Sequence, residues 1–150
     1  MDDTAADPVT QRIASRVRQL RADAGLSLDA LAAASGVSRS ALSLIERAQS
    51  SPTAVVLDRI AVALGVPLAS LFDGPAAPAS ASPLARRAEQ PVWQDPASGY
   101  VRRVVSPIGY PSPIQIVEVE FPPGAMVAYE ATLRERTVHE QLWVLQGRID

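Results

Sequence analysis

The sequence predicts an α + β chain in two domains: a bundle of five short helices over residues 10–73, then a partial antiparallel β-barrel over residues 92–150. Three observations predict it. Apolar residues recur at helical spacing from Thr10 to Phe72. A stretch holding four Pro, six Ala and two Ser follows at residues 74–91, with almost nothing to bury. Apolar and polar residues then alternate between Pro and Gly turns, the pattern of half-buried strands.

Each element has its own justification. Residues 1–9 carry Asp2, Asp3 and Asp7 and no basic residue, and read as a disordered tail. Ile13, Val17 and Leu20 recur at i, i+4, i+7 along the first helix, which Gly25 stops. Ser27 suits the N-cap of a second helix with Leu28, Leu31 and Ala32 facing inward. Gly36 ends that helix, and Ser38 suits the N-cap of a third that runs to Arg47. Thr53 starts a fourth, with Leu57, Ile60, Ala61 and Leu64 on one face, closed by Gly65 and Pro67. Leu68 to Phe72 forms a fifth apolar turn. Residues 74–91 form a linker, extended in part by proline. Candidate strands cover residues 100–105, 114–121, 125–129 and 139–146. The sequence stops at Asp150, where another strand is due, so a fragment of a longer protein is expected.

Composition excludes much chemistry. There is no Cys and a single His, His139. Disulfides, zinc fingers, iron–sulfur sites and cysteine nucleophiles are therefore excluded, and any metal site or Ser-His-Asp triad depends on that one imidazole. All 14 basic residues are Arg, which excludes the P-loop lysine and Schiff-base chemistry. The formal net charge is −2, but residues 10–73 carry seven Arg against five acids. The N-terminus, Met-Asp-Asp-Thr, has neither a basic nor an apolar leader region, so a cytoplasmic protein is expected. The longest apolar run, residues 60–72, contains Pro67 and falls short of the roughly 20 residues of a membrane helix, so no membrane association is expected.

The most informative segment is GLSLDALAAASGVSRSALSLIERA, residues 25–48. It places two short helices around a turn at Gly36-Val37. On the second of them Ala41, Leu42 and Ile45 share one face. Arg39, Ser40, Ser43, Leu44 and Arg47 share the other, which is polar, contains no acid and fits a DNA major groove. By periodicity alone such a face is an ordinary solvated surface.

The words RVRQLR, GLSLDALAAASGVS, SALSLIER and LDRIAVALGV, in that order from Gln11 to Phe72, resemble the XRE (phage-repressor-like) helix-turn-helix family. The resemblance implies a sequence-specific transcriptional regulator that binds double-stranded DNA as a homodimer. It implies base contacts from Arg39, Ser40, Ser43 and Leu44, and phosphate contacts from Ser27, Ser38 and Arg47. It further implies a structural salt bridge between Arg21 and Glu46. One departure is Ala48, where the family usually has Gly after the third helix.

The words FPPGAMV and HEQLWVLQGRI, at residues 121–127 and 139–149, resemble the first part of a cupin domain. Glu140 and Gly147 keep the family's spacing and Gly124 fits its first Gly, while the intervening stretch ATLRERTV is longer than the family's gap. The positions of its His pair fall near Glu130 and Thr132, so the resemblance implies no metal, no cofactor and no catalytic residue here. It implies a small-molecule effector or dimerisation role, with Glu140, Leu142 and Val144 as a possible pocket. Glu140 either binds a ligand or pairs with Arg134 or Arg136, and His139 is expected at a surface or an interface. The rival functions are an antitoxin-like autorepressor with a protein partner, and a cupin enzyme with a helical appendage.

Overall fold

The computed structural model describes residues 7–73, 82–129 and 140–149. Helix α1 spans Pro8–Asp23, with proline in the first turn, where its missing amide hydrogen costs nothing. The helix thus begins inside the segment expected as a tail. The reason is that Val9 extends the stripe of Ile13 and Val17 by one turn, and all three are buried. Gly25, at φ +66°, lets the chain reverse, and the Leu26 amide bonds back to the Arg21 carbonyl at 3.0 Å.

Helix α2 spans Leu28–Ser35, α3 Arg39–Glu46 and α4 Ala54–Ala63. Their N-cap side chains are Ser27, Ser38 and Thr53, which accept from the amides of Ala30, Ala41 and Val56 at 3.0, 3.2 and 3.3 Å. Each satisfies an amide that the first helical turn leaves without a partner. The fifth helix is a correction. Leu68–Phe72 is a 3-10 turn, closed by the Ser70 amide on the Pro67 carbonyl at 2.9 Å. Pro67 stands directly before it, and five residues are too few to establish the α ladder.

The β region is smaller than a barrel. Strands β1 (Val92–Gln94), β2 (Val101–Val104) and β3 (Val117–Glu120) form one antiparallel sheet in that order. Trp93 pairs with Arg102, and Arg102 with Val119. The expected strand over 114–121 is shortened to 117–120: the Ile114 and Ile116 amides donate to the side-chain hydroxyls of Ser112 and Ser106, at 3.2 and 2.8 Å, rather than to a backbone ladder. Residues 125–129 and 140–146 are not strands; among the described residues nothing pairs with them, and an unpaired strand has no backbone partners. His139 lies outside the described residues.

One core joins the helices and the sheet. Ile13, Val17, Leu31, Leu42, Leu57, Ile60, Leu71 and Phe72 form its helical part, and Trp93, Tyr100 and Val104 continue it. Trp93 meets Phe72 edge-on at 5.5 Å between ring centroids, and Tyr100 at 5.6 Å. The chain from Val92 onward therefore packs back on the bundle. Among the described residues no helix is long and apolar enough to cross a membrane.

Candidate nucleic-acid interface

Helix α3 is amphipathic in a way that fixes its orientation. Leu42, Ile45 and Glu46 are buried, so the opposite side is presented to solvent. Gly36 at φ +66° ends α2 in the left-handed conformation and sets the angle between the two helices. The buried Glu46 carboxylate is met by Arg21 of α1 in a two-point bridge, Nε to Oε1 at 2.6 Å and Nη2 to Oε2 at 2.9 Å. Arg21 also donates from Nη1 to the Leu26 carbonyl at 2.9 Å, tying α1, the first turn and α3 together. The hydrogen bond from Glu46 raises the Arg21 pKa above its ordinary value, against burial that lowers it.

The exposed side of α3 brings most of the expected contact residues together. Arg39 and Ser40 are exposed in its first turn, Leu44 is exposed one turn on, and Arg47 is exposed at its end. Ser43 is half-buried. Ser27 and Ser38 each use a lone pair to cap a helix and keep a hydroxyl hydrogen that can be donated. The Ser38 and Ser40 hydroxyls lie 3.1 Å apart. Arg47 Nε donates to the Ser43 carbonyl at 3.1 Å, which lays its stem along the helix. Arg39 is engaged as well: its Nε lies 3.0 Å from Oδ1 of Asp29 on α2. The absence of acids on the exposed face of α3 therefore understates what sits beside it.

The residues expected to form a pocket in the β region are not brought together around a cavity. Glu140, Leu142 and Val144 are all exposed. A cavity of about 620 Å³ lies elsewhere, lined by the start of α4 (Thr53, Val55), by Asp95 and Ser98, and by the turn at Pro122, Pro123 and Gly124. Arg134, Arg136 and Glu130 lie outside the described residues. Among the described residues no three His, Asp or Glu side chains converge as a metal site requires.

Two polar residues of the β region escaped the sequence reading. Asp95 is buried. Its Oδ1 accepts from the Ala54 amide at 2.9 Å and its Oδ2 from the Ser98 amide at 2.8 Å. The signal available was the Asp-Pro-Ala-Ser run before Gly99, which is turn chemistry. Arg102 lies over the Phe72 ring, 5.1 Å from its centroid, with a buried Nε that has no hydrogen-bond partner among the described residues. Burial lowers its pKa, opposed by Tyr100, Tyr129 and Glu140. Its signal was position: it alternates with Tyr100 and Val104 on one strand face.

Comparison with known proteins agrees with this geometry. Residues 17–71 match the helix-turn-helix family model HTH_3. The chain is 33% identical over 138 residues to the HTH-type transcriptional regulator SutR of Escherichia coli (strain K12), covering 92% of this chain and 71% of SutR. Among solved structures it resembles the restriction-modification controller protein C.AhdI from Aeromonas hydrophila. That match has 35% identity and a TM-score of 0.41, and covers 42% of this chain and 96% of the controller. It also resembles hydroxypropylphosphonic acid epoxidase from S. wedmorenis, with 21% identity and a TM-score of 0.40, covering 65% of this chain and 51% of the epoxidase. The length and identity of the SutR match, with the helix-turn-helix over residues 17–71, place the chain: it belongs to the helix-turn-helix family of transcriptional regulators.

Proposed function

We propose that the chain is a sequence-specific DNA-binding regulator, acting as a homodimer on a two-fold-related operator in the cytoplasm, and not an enzyme. One observation carries this reading. The face of α3 opposite the buried Leu42 and Ile45 presents Arg39, Ser40, Leu44 and Arg47 on a helix tied from behind by the Arg21–Glu46 bridge. A rigid helix about 10 Å across, carrying donors and one apolar contact, suits a major groove.

In this reading Arg39, Ser40, Ser43 and Leu44 contact base edges. The Arg39 fork suits the guanine acceptors, and Leu44 suits a thymine methyl. Ser27, Ser38 and Arg47 contact phosphates, which set register but carry no sequence information. Residues 10–73 form the DNA-binding module and 74–91 the linker. Residues 92–150 form a cupin-like module that senses a small-molecule effector or supports dimerisation. Direct packing of Trp93 on Phe72 supports communication between the two modules, because a displaced sheet would disturb the bundle core.

The test is selection of bound duplex from a random DNA pool, with and without candidate metabolites. Enrichment of a sequence with two-fold symmetry is the expected result. Failure to enrich any sequence would overturn the reading. Stoichiometric iron, manganese or zinc in the purified protein would instead favour the cupin-enzyme alternative.

A further inference from the structure

The exposed face that meets DNA in the reading above has an acidic neighbour. Asp29 occupies the second position of α2, and its Oδ1 lies 3.0 Å from Arg39 Nε at the start of α3. Both side chains are largely exposed, 73% for Asp29 and 64% for Arg39, so in water their attraction adds little to folding. A carboxylate at this place also opposes the approach of phosphates, which dominate non-specific DNA affinity. An acid in the first turn of α2 does favour the helix dipole, but that does not require it to reach across to the next helix.

The geometry of the pair supplies a different use. A guanidinium has its donors in a planar fork. With Nε beside the Asp29 carboxylate, the two terminal nitrogens, Nη1 and Nη2, are left as a pair on the far edge. Guanine presents O6 and N7 in the major groove as two parallel acceptors, which that pair fits. A long arginine held before it meets DNA also loses less freedom on binding. We infer that Asp29 is a specificity-determining positioning residue, which fixes the Arg39 guanidinium so that its terminal nitrogens select guanine at one operator position.

This inference rests on the reading that α3 enters the major groove with Arg39 toward the bases. The partner it identifies is a duplex with guanine at that position. Asp29 is assigned no contact with DNA.

The test measures competition by every single-base variant of the selected operator. The proteins compared are the wild type, Asp29→Ala, Asp29→Asn, Arg39→Ala and the Asp29→Ala/Arg39→Ala double variant. Thermal unfolding establishes that each is folded. Arg39→Ala is expected to flatten preference at one guanine. Asp29→Ala is expected to reduce discrimination at that same position about threefold, leave the other positions unchanged, and bind random DNA no more weakly than wild type. Asp29→Asn retains an acceptor and should lose less. In the Arg39→Ala background, Asp29→Ala should change no base preference. If Arg39→Ala flattens one position and Asp29→Ala alters none, the inference is overturned and the base-reading role of Arg39 stands. Equal weakening on all sequences by Asp29→Ala would overturn it too. If Arg39→Ala itself leaves every preference intact, both the role of Arg39 and the inference fall.

Discussion

Asp95 accepts the Ala54 amide at 2.9 Å, so the first turn of α4 is capped by a residue from the β region, 41 positions along the chain. A local cap on the same helix, Thr53 on the Val56 amide, leaves the Ala54 amide for Asp95. Replacing Asp95 with Ala orphans a buried backbone donor and should cost about 1–3 kcal/mol in urea unfolding at neutral pH.

The same aspartate predicts a pH dependence. Burial pushes its pKa up, but hydrogen bonds from Ser98, Ala54 and Ala97 outweigh burial and hold it below the ordinary carboxylate range. The folded state therefore favours the ionised form. Its contribution is complete above the unfolded value of about 4 and fades as pH falls through the lower folded value. Stability measured from pH 6 downward should fall less steeply in Asp95→Asn than in the wild type. Equal slopes would refute a role for this carboxylate in acid unfolding.

Arg21→Ala leaves Glu46 charged, buried and without its two-point partner. The expected loss is about 3–5 kcal/mol, read as a lower urea midpoint. Arg21→Met combined with Glu46→Leu should lose much less, because no charge is then stranded.

Ala48 has φ +56°, the left-handed region that disfavours a side chain. It stands there because the reversal after α3 requires it: the Gln49 amide bonds to the Leu44 carbonyl at 2.9 Å, and the Ala48 amide to Ile45 at 2.9 Å. Ala48→Gly should raise stability by about 1 kcal/mol. The α3 surface, and so DNA affinity, should stay unchanged. A lower melting temperature would contradict this account of the turn.

Arg39→Ala and Arg47→Ala should separate by kind of effect. The first should cost roughly 1–3 kcal/mol on the preferred operator and relax preference at one base. The second should weaken all sequences alike and reduce the salt dependence of binding by about one counterion. Uniform weakening by Arg39→Ala would reassign it as a phosphate contact.

The helical half was legible because its signals are local. Ser27, Ser38 and Thr53 are read as caps from type and position, and Gly25 and Gly36 as stops, without knowing the tertiary structure. The start of α1 was misplaced because acidic Asp2, Asp3 and Asp7 hid Val9, the first residue of the buried stripe. The β half was less legible because pairing is non-local. Alternation over 114–121 gives a face but not a partner, and β2 and β3 pair only over four residues each. The pairing of Asp29 with Arg39 was out of reach because each belongs to a different helix, and the exposed face of α3, free of acids by itself, does not disclose it. Asp95 was missed for the same reason: its partner lies in another element.

The seam between bundle and sheet also has an optical consequence. The chain has two tryptophans. Trp93 is only 3% exposed, enclosed by Phe72 and Tyr100, whereas Trp143 is 79% exposed. A soluble quencher should therefore darken Trp143 first, and Trp143→Phe should leave a single blue-shifted emitter at the seam. Any effector or DNA site that parts the sheet from the helices then reddens the protein's own fluorescence, without an added label.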